Sequence, residues 1–172
     1  MIALGGNALI QKGQKGTAEE QFQNIRKPVA AIAELSRNYH IIITHGNGPQ
    51  SGNLLLQQEA TDEVPKMPLS VIGAQTQGQI GFMIEATLDE ELMRLGLDKD
   101  RLFLTVLTYT RVKEEDPAFK NPTKPVGPAY EKAQPGFVKT AKGWRRVVPS
   151  PKPHKIYQYR EIKYLSERNF II

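Results

Sequence analysis

The sequence predicts an α/β protein built on a mostly parallel sheet, and three observations predict it. Two short apolar runs, at 1–4 and 41–43, each lead into a glycine-bearing loop, as buried strands entering tight loops do. A stretch of helical period separates them. Ile41-Ile42-Ile43 is apolar on both faces, which is the pattern of a central parallel strand, so the three pieces together form a βαβ unit.

Taken in order, Met1-Ile2-Ala3-Leu4 is the first strand, closed by Gly5-Gly6. After a polar stretch at 11–16, Thr17 with Glu20 three residues on is a capping box that starts a helix. Phe22, Ile25, Val29, Ile32 and Leu35 give that helix one apolar face, and Pro28 is expected to kink or split it. The second strand, Tyr39–Thr44, runs into His45-Gly46-Asn47-Gly48-Pro49-Gln50, where Pro49 suits the first turn of a new helix. A long helix is expected from about Pro68 to Leu95, burying Ile72, Ile80, Met83, Ile84, Leu88 and Leu92. Gly73, Gly78 and Gly81 each weaken it by roughly 1 kcal/mol against alanine, so they are expected to permit close packing. Leu102–Tyr109 reads as a third strand, 111–153 as an irregular excursion with one hairpin rather than core, Glu161–Arg168 as a last helix and 170–172 as a strand.

The 172 residues suit one domain, or one domain with a small excursion. The absence of cysteine excludes disulfides, thiolate metal sites and cysteine nucleophiles. No apolar run is long enough to span a membrane and the N-terminus has no signal-peptide pattern, so a soluble cytoplasmic protein is expected. The net charge of +5 is unevenly spread: 1–110 hold 9 basic and 12 acidic side chains, 111–172 hold 14 and 6. Eight of the twelve prolines lie between Pro117 and Pro153, so the chain changes character near 111. A basic segment attracts nucleic acid, a membrane surface or a small anion, and charge alone does not choose.

Two parallel strands that each end in a glycine loop put both loops at the carboxyl edge of one sheet, where ligands of open α/β sheets bind. Gly5-Gly6-Asn7 and Gly46-Asn47-Gly48 allow main-chain N–H groups to approach an anion, and the two asparagines add amides that donate or accept. The residues therefore suggest a phosphate or carboxylate pocket; the alternative is a pair of tight turns. There is no GxxxxGK[ST] loop, and Gly46-x-Gly48-x-x-x-Gly52 misses the dinucleotide fingerprint by one position. His40, His45 and His154 have no ligand spacing, so no metal site is expected. Trp144-Arg145-Arg146 reads as a solvated basic corner before it reads as a base-stacking patch, so no nucleic-acid partner and no membrane partner are expected.

The strings ALGGNAL (3–9), THGNGPQSGNLLLQQ (44–58), GAQTQGQIG (73–81), DPAFKNPTKPVGP (116–128) and GWRRVVPSPKP (143–153) together resemble carbamate kinase, of the amino acid kinase superfamily. They occur in the family's order and cover nearly the whole chain; NPTKP and VVPSPKP are the specific ones. The resemblance implies a three-layer αβα sandwich with a mostly parallel sheet, plus a small protruding proline-rich subdomain. It divides the chain into a substrate-binding core at 1–110, the protruding subdomain at 111–150 and a return to the sheet at 151–172.

The implied activity is reversible phosphoryl transfer between ATP and carbamate, usually running from carbamoyl phosphate and ADP to ATP. Carried over by position, Gly5, Gly6, Asn7, Gly46, Asn47 and Gly48 line the carbamoyl and phosphoryl site. Lys124 reaches over it, and Lys152 either assists or pins the PSPKP turn. Carbamate or carbamoyl phosphate is the implied partner, ATP or ADP with Mg2+ the implied cosubstrate, and a homodimer the implied assembly. The family continues from the strand at 169–172 into a glycine-rich turn and a nucleotide domain. The expectation is therefore a substrate-binding half, inactive by itself and lacking the nucleotide site; the alternative is a non-catalytic anion-binding or scaffold protein.

Overall fold

The computed structural model describes residues 1–172, with the side chain of Asn7 excepted. Among the described residues the strands are β1 (Ile2–Leu4), β2 (Ile43–His45), β3 (Leu102–Phe103), β4 (Thr110–Arg111), β5 (Lys124–Tyr130), β6 (Phe137–Thr140), β7 (Gly143–Val148), β8 (Lys155–Ile156) and β9 (Phe170–Ile171). The helices are α1 (Ala18–Leu35), α2 (Gly48–Glu59), α3 (Leu69–Leu95) and α4 (Tyr159–Ser166). The chain forms two compact units: Met1–Asn47 with Ala74–Leu107 and Gln158–Ile172, and Gly48–Gly73 with Thr108–Tyr157.

In the first unit β1 pairs in parallel with β2, Leu4 opposite His45, and β3 pairs in parallel with β9. Ile172 joins the two pairs, its N–H donating to Ile41 O and its carbonyl accepting from Ile43 N. The four strands therefore lie in the order β1, β2, β9, β3, as the triple isoleucine suggested. The second strand is shorter than expected because the turn after α1 holds Asn38 and Tyr39, whose amides donate to Leu35 O.

The capping box is present in both directions, with Glu20 N donating to Thr17 Oγ1 at 3.3 Å and Thr17 N to Glu20 Oε2 at 3.1 Å. The helix runs unbroken through Pro28, so the proline does not split it. Ile25, Val29 and Ile32 on its inner face are buried, and that packing carries the helix across the hydrogen bond proline cannot make. All six residues expected to be buried on α3 are buried. Of its glycines only Gly81 is needed for close approach, since a Cβ there would lie 2.9 Å from the Thr105 Cβ; Gly73 and Gly78 face open space. The strand expected over 102–109 ends its pairing early, at Leu104, whose N–H donates to Ile171 O.

The second unit corrects the reading of 111–153 as irregular. Residues 124–148 form an antiparallel sheet in the order β5, β7, β6, and β4 pairs with β8. β5 lies at the sheet edge, where Pro125 and Pro128 interrupt no inner ladder. A bulge separates Val126 from Tyr130, with Gly127 at φ 70°, and the Gly127 carbonyl accepts from Arg145 Nε at 3.1 Å and Nη2 at 2.7 Å. Tyr109 and Tyr157 stack at 4.5 Å beside the β4–β8 pair. α2 packs on β5, so residues 48–59, which the charge boundary groups with the N-terminal part, belong with this sheet.

Candidate active site

The parallel pairing of β1 with β2 sets the carboxyl ends of the two strands side by side, and both run into glycine. Gly5 is extended and starts a single 3-10 turn over Gly6–Ala8, in which Ala8 N donates to Gly5 O at 2.9 Å and Ile10 N to Gly6 O at 3.0 Å. The leading amides of such a turn have no acceptor within it, which is the arrangement that receives an anion. A Cβ on Gly5, Gly6 or Gly46 would meet no heavy atom within 4 Å, so these backbones are open to a ligand. The Asn7 side chain lies outside the described residues.

The segment after the first turn is fastened to α1. Asn24 Nδ2 donates to Leu9 O at 2.8 Å and to Gln14 Oε1 at 2.6 Å, and Gln21 Nε2 donates to Gly16 O at 2.8 Å. Gly16 has φ 80° and sits against Ile10, two constraints that only glycine meets there.

In the second loop the Gly46 N–H is already used, donating to Leu4 O at 3.2 Å. Gly46 thus extends the β1–β2 ladder and offers open space without that donor. Asn47 Nδ2 donates to Thr76 Oγ1 at 2.8 Å, and Thr76 is fully buried on α3. Burial holds the His45 imidazole below its ordinary pKa, opposed by a contact with Gly46 O, so His45 is neutral near pH 7 and adds no cation.

The remaining candidates lie in the second unit. Gly48 opens α2 and is exposed. Lys124 is the first residue of β5, opposite Val148, and is exposed. The PSPKP turn is pinned through the main chain of Lys152, whose N–H donates to Asp116 Oδ2 at 3.0 Å, while Asp116 Oδ1 accepts from Ala118 N at 2.9 Å. These two amides, Ala118 first, hold the Asp116 carboxyl below its usual pKa. Sequence reasoning had no signal for Thr76 as the partner of Asn47, because the two stand far apart in the chain. Asp116 was visible only as part of DPAFKNPTKP.

A parallel sheet whose first two strands open into glycine turns defines an α/β protein with two open turns at the carboxyl edge of the sheet, the edge at which ligands of open α/β sheets bind. No protein-family profile matches the chain. Its whole length aligns at 47% identity with the carbamate kinase of Pyrococcus furiosus, over 59% of that protein, and at 40% with the carbamate kinase of Escherichia coli K12, again over 59%. The carbamate kinase of Giardia lamblia bound to AMP-PNP superposes on 99% of the chain with a TM-score of 0.87 and 38% identity, over 57% of that protein. Along its whole length the chain is similar to carbamate kinases, and it spans a little under three-fifths of the length of the relatives it matches.

Proposed function

We propose that this chain is the carbamoyl-phosphate-binding half of a carbamate kinase, with Gly5, Gly6, Asn7, Gly46, Asn47 and Gly48 lining the site and Lys124 supplying its cation. The observation that carries the reading is similarity to carbamate kinases along the whole of this chain, joined to two open glycine turns on adjacent strand ends. In the proposed reaction the phosphoryl group leaves the carbamoyl oxygen for the terminal phosphate of ADP. Such transfer needs in-line positioning and charge neutralisation more than covalent help. The amides of the first turn, the start of α2 and the Lys124 ammonium are suited to those tasks.

The position of Lys124 is supported within the second unit. Gly127 of β5 lies beside Leu55 of α2, and the Tyr130 hydroxyl donates to Glu59, so the two elements run in the same direction. Three residues of strand span about 10 Å and seven of helix about 10 Å. Stepping back along both by those distances brings Lys124 level with Gly48, at the helix start. Lys152 is assigned the structural part, because its main chain pins a turn.

The three-layer sandwich, the protruding part at 111–150, a homodimer and a cytoplasmic setting are further elements of the proposal, drawn from the family. ATP or ADP is assigned to the length of the relatives that this chain does not span. Among the described residues no three His, Asp or Glu side chains gather as metal ligands, and Mg2+, which is held largely by substrate phosphates, is assigned with the nucleotide. No helix among them is long and apolar enough to cross a membrane.

Calorimetry of the 172-residue protein with carbamoyl phosphate tests the reading. Binding is expected, together with no ATP from carbamoyl phosphate and ADP. A folded protein that binds nothing would favour a scaffold, and turnover by this chain alone would refute the division of labour.

A further inference from the structure

Thr76 is a fully buried polar residue on a helix whose other buried positions are mostly apolar, and it has a job that packing does not explain. Its Oγ1 accepts from Nδ2 of Asn47 at 2.8 Å, in the half-buried loop directly after β2. A carboxamide has two donor hydrogens on nitrogen and two acceptor sites on oxygen, and its two ends exchange by rotation about one bond. An asparagine in a loop without such a partner presents either end. A hydroxyl can pair with either end, and here it pairs with nitrogen, which turns Oδ1 to the other side of the group.

We infer that Thr76 is a positioning residue that locks the Asn47 carboxamide so that it presents its oxygen, an acceptor, at the strand edge. The inference rests on the proposed substrate site and deepens it. An acceptor there matches the N–H donors of a carbamoyl group. It repels phosphoryl oxygens, and it gains nothing from the methyl of an acyl phosphate such as acetyl phosphate. The Thr76–Asn47 pair therefore selects a ligand that carries an amide nitrogen, while the main-chain amides of the first glycine turn hold the phosphoryl group common to both. Selectivity between the two ligands would come from one hydrogen bond donated to Asn47 Oδ1, and a site built to accept a hydrogen bond discriminates against the analogue lacking it.

The test uses the 172-residue protein, with Thr76→Val, Thr76→Ser and Asn47→Ala variants. Nitrogen–proton NMR spectra report the Asn47 side-chain amide directly. Thr76→Val should shift both amide protons and bring them towards the free-asparagine position, and Thr76→Ser should restore them. Calorimetry should then show carbamoyl phosphate bound about tenfold more weakly by Thr76→Val and by Asn47→Ala, with acetyl phosphate unchanged and Thr76→Ser near the parent. The double variant should be no worse than Asn47→Ala alone.

Asn47 signals that ignore Thr76→Val would overturn the positioning role. Signals that move while both ligands weaken equally would overturn the assignment of Oδ1 to the carbamoyl nitrogen. If Asn47→Ala changes neither affinity while the NMR signature behaves as expected, the Asn47 part of the proposed site fails, and with it the selectivity role of Thr76. If Thr76→Val is too unstable to measure, Asn47→Ala, whose side chain lies outside the core, carries the selectivity test by itself.

Discussion

Among the described residues thirteen buried apolar side chains lie in the first unit, whereas the second has Ile72 alone. Strand ends, α1 and α3 of the first unit meet in one apolar cluster, from Leu4 and Leu9 through Ile80 and Leu88 to Ile171. The second unit is held by directional contacts instead: antiparallel ladders, Arg145 on the Gly127 carbonyl, Asp116 bridging two turns, and Arg146 reaching both Glu59 and the Phe137 ring. Burial is roughly additive in area and forgiving of detail, whereas such contacts fail one at a time. The same chain thus has a region where volume matters and another where geometry and charge matter.

The largest expected effect tests the first half of that contrast. Leu88→Ala, at a position 1% exposed, should destabilise the protein by about 3 kcal/mol in chemical denaturation. Val138→Ala in β6, 38% exposed, should cost less than about 1 kcal/mol. Equal losses would erase the distinction between the units.

Function should show the reverse pattern. In a protein carrying the full length of its relatives, Lys124→Ala should lower kcat/KM about a hundredfold, roughly 2.7 kcal/mol, with Tm nearly unchanged. Activity within about threefold of the parent would make Lys124 a surface lysine and return attention to Lys152.

Within the first unit two glycines sharpen the claim that volume rules there. Gly81→Ala drives a methyl into Thr105 and should destabilise by about 1–3 kcal/mol. Gly78→Ala, on the same helix with open space, should stabilise by about 0.5–1 kcal/mol. Thermal melts of the pair decide it, and a shift of the same sign in both would sink it.

The smallest effect is a difference in acid response. His45 and Asp116 both have lowered folded pKa values, so each contributes stability that is present above its unfolded pKa and lost as pH falls through the folded one. For His45 loss begins below about 6.5, and for Asp116 below about 3.9. Amide exchange at Gly46 should therefore rise at milder acidity than exchange at Ala118 and Lys152, and Asp116→Asn should remove only the second change. A single common midpoint would contradict it.

What the sequence revealed follows the same division. The six-residue inner face of α3 is a pattern that burial enforces and the capping box at Thr17 one that local hydrogen bonds enforce; both are present, as is the parallel pairing that the isoleucine run suggested. The sheet over 124–148 was hidden because Pro125 and Pro128 argue against a strand, and only its edge position, fixed by pairing with β7, makes them tolerable. Of the site, the glycine turns were legible. That the Gly46 amide is spent on Leu4, and that Asn47 is held from α3, depends on contacts no local pattern carries.

The position of β9 between β2 and β3 has a kinetic consequence. Ile43 and Ile172 are about 130 positions apart, yet they bond in the middle of the sheet, so the sheet joins only after a long loop closes. On a ribosome adding ~5–20 residues per second, β1 and β2 would wait on the order of ten seconds with one edge of β2 open. Throughout that interval the triple-isoleucine strand can be captured by another chain. Slow synthesis or mild heat should therefore lower yield through association of nascent chains, and a chaperone that covers this strand should restore it, whatever the stability of the finished fold.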